Sequence, residues 1–122
     1  LLPAATTPPE QIDDSEITVG LVDLGLNPNG IALDTTLNRI YVTNTGEKTV
    51  SVIDSNLLTE IARVSFAKAD TGFDEDGKEP LGIAAATFGG VPLVFVANFS
   101  SNTIYVINAN TLNVVERFPN QS

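Results

Sequence analysis

The sequence predicts an all-β chain: two tandem four-stranded antiparallel units, preceded by an extra N-terminal strand. Two observations carry this. Short stretches rich in β-branched and aromatic residues alternate with turns of Asn, Gly, Asp, Pro and Ser, which is the pattern of strands joined by tight connections. The chain also repeats itself. Setting Tyr41–Val64 against Phe95–Phe118, a shift of 54 residues, gives eight identities in 24 positions, among them Asn44/Asn98, Val52/Val106, Leu58/Leu112 and Arg63/Arg117. Upstream, Pro28-Asn29-Gly30-Ile31-Ala32 matches Pro80-Leu81-Gly82-Ile83-Ala84 at a shift of 52. The two-residue difference falls in the hairpin that holds Gly89 and Gly90, where a loop tolerates insertion.

In chain order, residues 1–16 read as an extended Pro/Thr-rich tail, marked by Thr6, Thr7, Pro8 and Pro9. Residues 17–27 read as an extra outer strand, centred on Ile17–Leu24. The first unit spans 28–66, with strands expected near Gly30–Leu33, Arg39–Thr43, Val50–Asp54 and Glu60–Phe66. Ser55–Ala62 is the best helix candidate, but Val64 and Phe66 continue it better as a strand, and no stretch keeps a helical period for three turns. Residues 67–80 form an acidic connecting loop. The second unit spans 81–122, with strands near Gly82–Thr87, Leu93–Ala97, Thr103–Asn108 and Val114–Phe118. Ile40, Tyr41 and Val42 are consecutive and apolar, as are Leu93 to Ala97. A strand with one wet face alternates instead, so both faces of these strands should be covered. The expected interior is Ile31, Leu33, Ile40, Val42, Val50, Val52, Ile83, Val94, Val96, Ile104, Val106 and Ile107.

Composition removes several functions. Fifteen acids against six bases give a net charge of −9, which argues against a nucleic-acid-binding face, since that needs a basic surface. There is no Cys and no His. Thiolate and imidazole metal sites, Ser-His-Asp triads and disulfides therefore drop out. No run of 18 apolar residues exists to span a membrane as a helix. No carboxylate pair has the burial or the close like-charged neighbour that would raise a pKa for acid–base work, so no catalytic residue and no cofactor site is assigned.

Tyr41-Val42-Thr43-Asn44 spells the motif that names the YVTN-type β-propeller repeat. The flanks Pro28-Asn29-Gly30-Ile31-Ala32-Leu33-Asp34 and Val50-Ser51-Val52-Ile53-Asp54 agree with it, and Phe95-Val96-Ala97-Asn98 with Ile104-Tyr105-Val106-Ile107-Asn108 is a drifted second copy. The chain thus resembles that family from Ile17 to about Phe118. The resemblance implies two propeller-like blades and a relationship to surface-layer and secreted proteins. Whole propellers have about 4–8 blades, so two units cannot close a ring. Either the chain is a fragment, or several chains complete the structure together. The start at Leu1, in place of Met, is read the same way, as a removed leader or a piece of something longer.

Four features remain as candidate sites. Asp74, Asp76 and Glu79 in the connecting loop present hard oxygens that suit Ca²⁺. The run is only a fragment of a Ca²⁺ loop, and a solvated acidic loop is the favoured reading. Asn98-Phe99-Ser100 and Asn120-Gln121-Ser122 are glycosylation sequons, at Asn98 and Asn120. Asn44 and Asn98 themselves read as turn residues, and Arg63 and Arg117 as partners of acids. Finally Ile17, Val19, Leu21, Val22 and Leu24 form a spare strand that would seek a sheet edge in a neighbouring subunit. The expectation is a non-enzymatic structural or interaction protein at the cell surface or outside the cell. It would self-assemble into an oligomer or filament, with a glycan or cell-surface partner as a further option. The alternative is a fragment of a larger secreted propeller enzyme or ligand-binding protein.

Overall fold

The structure is a computed structural model, and it describes residues 22–120. Eight strands form two four-stranded antiparallel meanders. The first sheet contains β1 (Pro28–Asp34), β2 (Arg39–Asn44), β3 (Thr49–Asp54) and β4 (Thr59–Ser65). The second contains β5 (Pro80–Phe88), β6 (Val91–Asn98), β7 (Thr103–Asn108) and β8 (Asn113–Phe118). Strand order follows the chain in both sheets, as short hairpins require. A single helical turn, α1 (Lys68–Thr71), lies in the connection between the sheets and ends on Gly72, whose left-handed φ of 82° lets its N–H reach the Lys68 carbonyl. Every strand expected within the two units is present. The two sheets share their irregularities: a bulge follows Val52 in β3 and, at the same repeat position, Val106 in β7.

Turn chemistry explains the hairpins. Asp34, Asp54 and Asn108 each end a strand and turn their side-chain oxygen onto the backbone two residues on, at 2.8–2.9 Å, the Asx geometry that starts a tight turn. The four-residue loops close on a left-handed residue: Asn38, Lys48, Leu58, Asn102 and Leu112, with φ between 54° and 62°. The β5–β6 hairpin differs. Its loop is Gly89-Gly90 alone, both left-handed, a pair suited to a two-residue hairpin. The shorter loop and longer strands produce the net two-residue difference between the repeats.

Antiparallel partners share a face, so register assigns the core. One face of the first sheet carries Ala32, Tyr41, Val52 and Ala62, then Thr43, Val50 and Val64. This front face packs on the back of the second sheet, where Ile83, Val96 and Tyr105 align beside Ala85, Val94, Ile107 and Val114. Tyr41, Val50, Val52, Val64, Phe66, Val94, Val96, Tyr105, Ile107 and Ala109 make one buried cluster. The Phe66 and Tyr105 rings lie 5.0 Å apart, and Phe73 from the connection meets Tyr105 edge-on at 5.1 Å. Polar pins fix the register of the two sheets. Arg39 Nη1 donates to the Ala109 carbonyl at 2.5 Å, Thr43 Oγ1 to Leu81 O at 3.0 Å and Thr45 Oγ1 to Pro80 O at 2.6 Å. Gly30 lies against this seam: a Cβ there would sit 2.3 Å from Leu81 O.

Three expected core residues are corrected. Ile31 and Leu33 are 65% and 63% exposed, and Ile104 is 42% exposed. Ile40 is only half-buried. Both faces of each sheet are apolar, and the contact between the sheets covers one face of each; on the other faces Val42, Ile53 and Val106 are buried while Ile31, Leu33 and Ile104 are not. Tyr41, Phe66 and Tyr105 were not expected in the core, yet they are its largest buried side chains.

The segment before each first strand is bonded to its own sheet in the same way. Thr45 N–H donates to Asn27 O and Gly46 N–H to Leu26 O, just as Phe99 N–H donates to Glu79 O and Ser100 N–H to Lys78 O. Leu26 N–H also reaches Glu47 Oε1 at 2.9 Å, and its counterpart Lys78 N–H reaches Ser101 Oγ at 3.0 Å. Glu47 then accepts from Thr49 Oγ1 and pairs with Arg63, which grips Glu60 through two bonds of 2.8 Å. The Leu26 N–H, foremost, holds the Glu47 carboxyl below its ordinary value of 4.5, and the Arg63 guanidinium does the same for Glu60.

Two predictions follow from this packing and bonding. Val52→Ala and Val96→Ala each lose burial and leave a cavity, so each should lower stability by about 1–3 kcal/mol in urea unfolding, while Ile31→Ala should stay within about 0.5 kcal/mol of the parent. Glu47 and Glu60 have depressed folded pKa values, so their stabilisation is present above 4.5 and disappears as pH falls through the lower folded values. The thermal midpoint should therefore drop on acidification below that point. In Glu47→Gln the drop should be shallower; an unchanged slope would show that this carboxylate contributes nothing.

Candidate functional site

The acidic connection directs its carboxylates to separate partners. Asp76 Oδ1 accepts the Lys68 N–H at 2.7 Å, and its other oxygen lies 3.5 Å from Lys48 Nζ. The Lys68 N–H, chiefly, depresses the Asp76 pKa. Asp74 pairs with Arg117 at 3.3 Å, and Arg117 lies over the Phe73 ring. Glu79 takes a left-handed φ of 54°, and its carbonyl caps the β6–β7 hairpin. Asp74, Asp76 and Glu79 thus serve three separate structural contacts. Among the described residues no three acidic side chains are grouped to hold a metal ion. These contacts are those of a bonded connection between the two sheets.

Asn98 is buried. It is 1% exposed and its Nδ2 donates to Thr103 Oγ1 at 3.2 Å, so the folded chain does not present this amide to an enzyme. Asn120 is exposed, though the rest of its sequon lies outside the described residues. Asn44 is structural as expected, but it bonds more than its own turn. Its Nδ2 donates to Thr49 Oγ1 and Ser51 Oγ, and its Oδ1 accepts the Gly25 N–H at 3.2 Å. Asn98 lacks the last of these, because Gly77 N–H, the counterpart of Gly25, donates to Phe66 O instead. Asn98 Oδ1 is buried without a partner.

The spare strand is in part outside view: Ile17, Val19 and Leu21 fall outside the described residues. Val22 and Leu24 are half-buried and belong to no strand. Beside them Asp23 O accepts from Arg63 Nη2 at 3.4 Å, and Gly25, Leu26 and Asn27 bond the β2–β3 hairpin of the same chain. The stretch from Asp23 to Asn27 is therefore held in cis as a cap on the first sheet. This corrects the expectation for that part of the spare segment.

Two broad apolar faces remain, which sequence reasoning assigned to the interior. The back of the first sheet exposes Ile31 and Leu33 beside the half-buried Ile40, with Val42 and Ile53 aligned with them but buried. The front of the second presents Phe88, Phe95 and Ile104 with Val91, Ala97 and Phe118. Phe88 is 58% exposed and rests edge-on against Phe95 at 5.8 Å. Contiguous exposed apolar surface of this kind marks an interaction site in a soluble protein. The buried hydroxyls of Tyr41 and Tyr105 have their pKa values raised by desolvation and stay protonated, so they act as packing groups. The described residues enclose no pocket, and no helix among them is long and apolar enough to cross a membrane.

No protein-family model and no curated protein matches the chain. Among solved structures, it is similar to Kuenenia stuttgartiensis hydrazine synthase, a β-propeller-containing protein, with a TM-score of 0.65 and 23% identity over 84% of this chain. The chain spans about a quarter of the length of that structure, whose matched part is 26%. At this identity the likeness is one of fold: two tandem propeller-like blades.

Proposed function

We propose that this chain is a non-catalytic structural or interaction protein, built of YVTN-type blades, that acts outside the cell or on its surface by self-assembly. The observation that carries this reading is the pair of open apolar faces on Ile31, Leu33 and Ile40 at one end and Phe88, Phe95 and Ile104 at the other. Terminal units of a stacked array are ordinarily capped by a polar outer face. Neither end of this stack is polar throughout: Ile31 and Leu33 are exposed at one beside Glu60 and Arg63, and Phe88 and Ile104 at the other beside Glu116. The YVTN motif, the net charge of −9 and the absence of Cys and His support the extracellular, non-enzymatic part of the reading. A second reading, a portion of a larger propeller, is favoured by the match to only 26% of a longer chain; the missing blades would then cover the same faces from within one polypeptide.

Light scattering on the 122-residue chain distinguishes the two. Self-assembly requires a mass that rises above the monomer with concentration. A chain that stays monomeric throughout would discard self-assembly and leave the larger-propeller reading.

Calorimetric titration with Ca²⁺ should give no stoichiometric tight binding. Tight binding abolished by Asp74→Ala with Asp76→Ala would restore the loop as a metal site.

A further inference from the structure

Resting on the self-assembly reading, we infer that a second copy of this chain is the occupant of each open face, and that copies stack head to tail. The back of one copy's first sheet, around Ile31, Leu33 and Ile40, covers the front of the next copy's second sheet, around Phe88, Phe95 and Ile104.

The internal contact between the two sheets is the template. By the repeat, Tyr41, Val50, Val52 and Val64 on the buried front of the first sheet correspond to Phe95, Ile104, Val106 and Phe118 on the open front of the second. Ile83, Ala85, Val94 and Ile107 on the buried back of the second sheet correspond to Ile31, Leu33, Ile40 and Ile53 on the open back of the first. Each open face is therefore a second version of one side of a contact that the molecule already makes. At the positions that pin the seam the open front is the more apolar version, although Glu116 stands on it where the buried front has Ala62. Arg39, Thr43 and Thr45 pin the internal seam by hydrogen bonds, and their counterparts are Leu93, Ala97 and Phe99. A face made for water would gain polar groups at those positions; this one has lost all three. On the open back Leu33 stands where the buried back has Ala85, while Ser51 and Glu60 stand where it has Tyr105 and Val114.

A front-to-back contact is heterologous: it uses two different surfaces and leaves one of each free at the ends. Such contacts close into rings or run on as filaments according to the rotation per copy. If the rotation matches that of ordinary propellers of about 4–8 blades, two blades per copy give rings of about two to four copies.

Paired single-face variants test this. Leu33→Asp spoils only the back and Ile104→Asp only the front, and both side chains are exposed in one copy, so the fold should survive. Circular dichroism confirms that it does, and Ile31→Asp or Phe88→Asp replaces a variant that misfolds. In size exclusion with light scattering, the 122-residue parent should assemble while each variant alone stays monomeric. Their mixture should stop at a heterodimer of one copy of each, read by native mass spectrometry. A monomeric parent overturns self-assembly and this inference together. An assembling parent whose single variants still associate, or whose mixture forms no heterodimer, overturns the head-to-tail contact while leaving self-assembly standing.

Discussion

The structure depends on one constraint: each sheet is apolar on both faces, and a meander of four strands cannot shield either face by itself. Tyr41, Val50 and Val52 project from one side of the central strands, and Ile40, Val42 and Ile53 from the other. Stacking the second sheet on the first covers one face of each. At about 25 cal/mol per Å² of apolar surface removed from water, this contact is the main favourable contribution available to a chain with neither disulfide nor metal among its described residues. The polar pins at Arg39, Thr43 and Thr45 add little net energy beside it. They set the register, because their carbonyl partners on Ala109, Leu81 and Pro80 are met only in one placement of the sheets.

The caps before each unit arise from the same constraint. A sheet packed face to face has its hairpins at the rim, where backbone groups need partners. Asn27 and Glu79 both take a left-handed φ, 50° and 54°, and each bends its segment onto the following β2–β3 or β6–β7 hairpin. Glu47 extends this on the first sheet by joining Leu26, Thr49 and Arg63 in one network. The stretch from Asp23 to Leu26 is thereby part of the first sheet's rim, as the connection from Asp76 to Glu79 is part of the second's.

Much of the fold was legible because its signals are local and repeated. The strands, their hairpin residues and the shift between units all follow from apolar runs broken by Asn, Asp and Gly. Which face each strand buries was not legible. Alternation assigns a face only when one side is wet, and here both sides carry Val and Ile. Ile31, Leu33 and Ile104 were therefore misplaced, and the open faces were missed as sites. The signal that could have found them was in the repeat comparison, where Arg39, Thr43 and Thr45 give way to Leu93, Ala97 and Phe99. The partners of the acidic loop were not legible for a different reason. Carboxylates close in sequence suggest a shared ligand, but Asp74 turns to Arg117, and Asp76 to Lys48 and to the Lys68 N–H within the loop; Lys48 and Arg117 lie outside the loop, where spacing alone does not bring them near.

The point of greatest divergence between the repeats shows how stacking reshapes a local site. Position 51 is Ser and position 105 is Tyr. In the first sheet Ser51 completes the bonding of Asn44, whose amide is satisfied on both ends. In the second, Tyr105 removes that hydroxyl partner, and Gly77 gives its N–H to Phe66 O, which leaves Asn98 Oδ1 orphaned. A buried unpaired acceptor costs about 1–3 kcal/mol. Against this, Tyr105 brings its ring between Phe66 and Phe73, where each aromatic contact contributes about 0.5–1.5 kcal/mol beyond its area. Gly77 makes room for it, since a Cβ there would lie 2.7 Å from the Tyr105 ring. Losses and gains of this size nearly offset, so the exchange is explained by geometry. The back of the second sheet is filled by the connection and by the first sheet, and a large aromatic closes the gap between them. Ser51 is itself fully buried on the back of the first sheet, where its hydroxyl accepts from Asn44 and leaves no such gap.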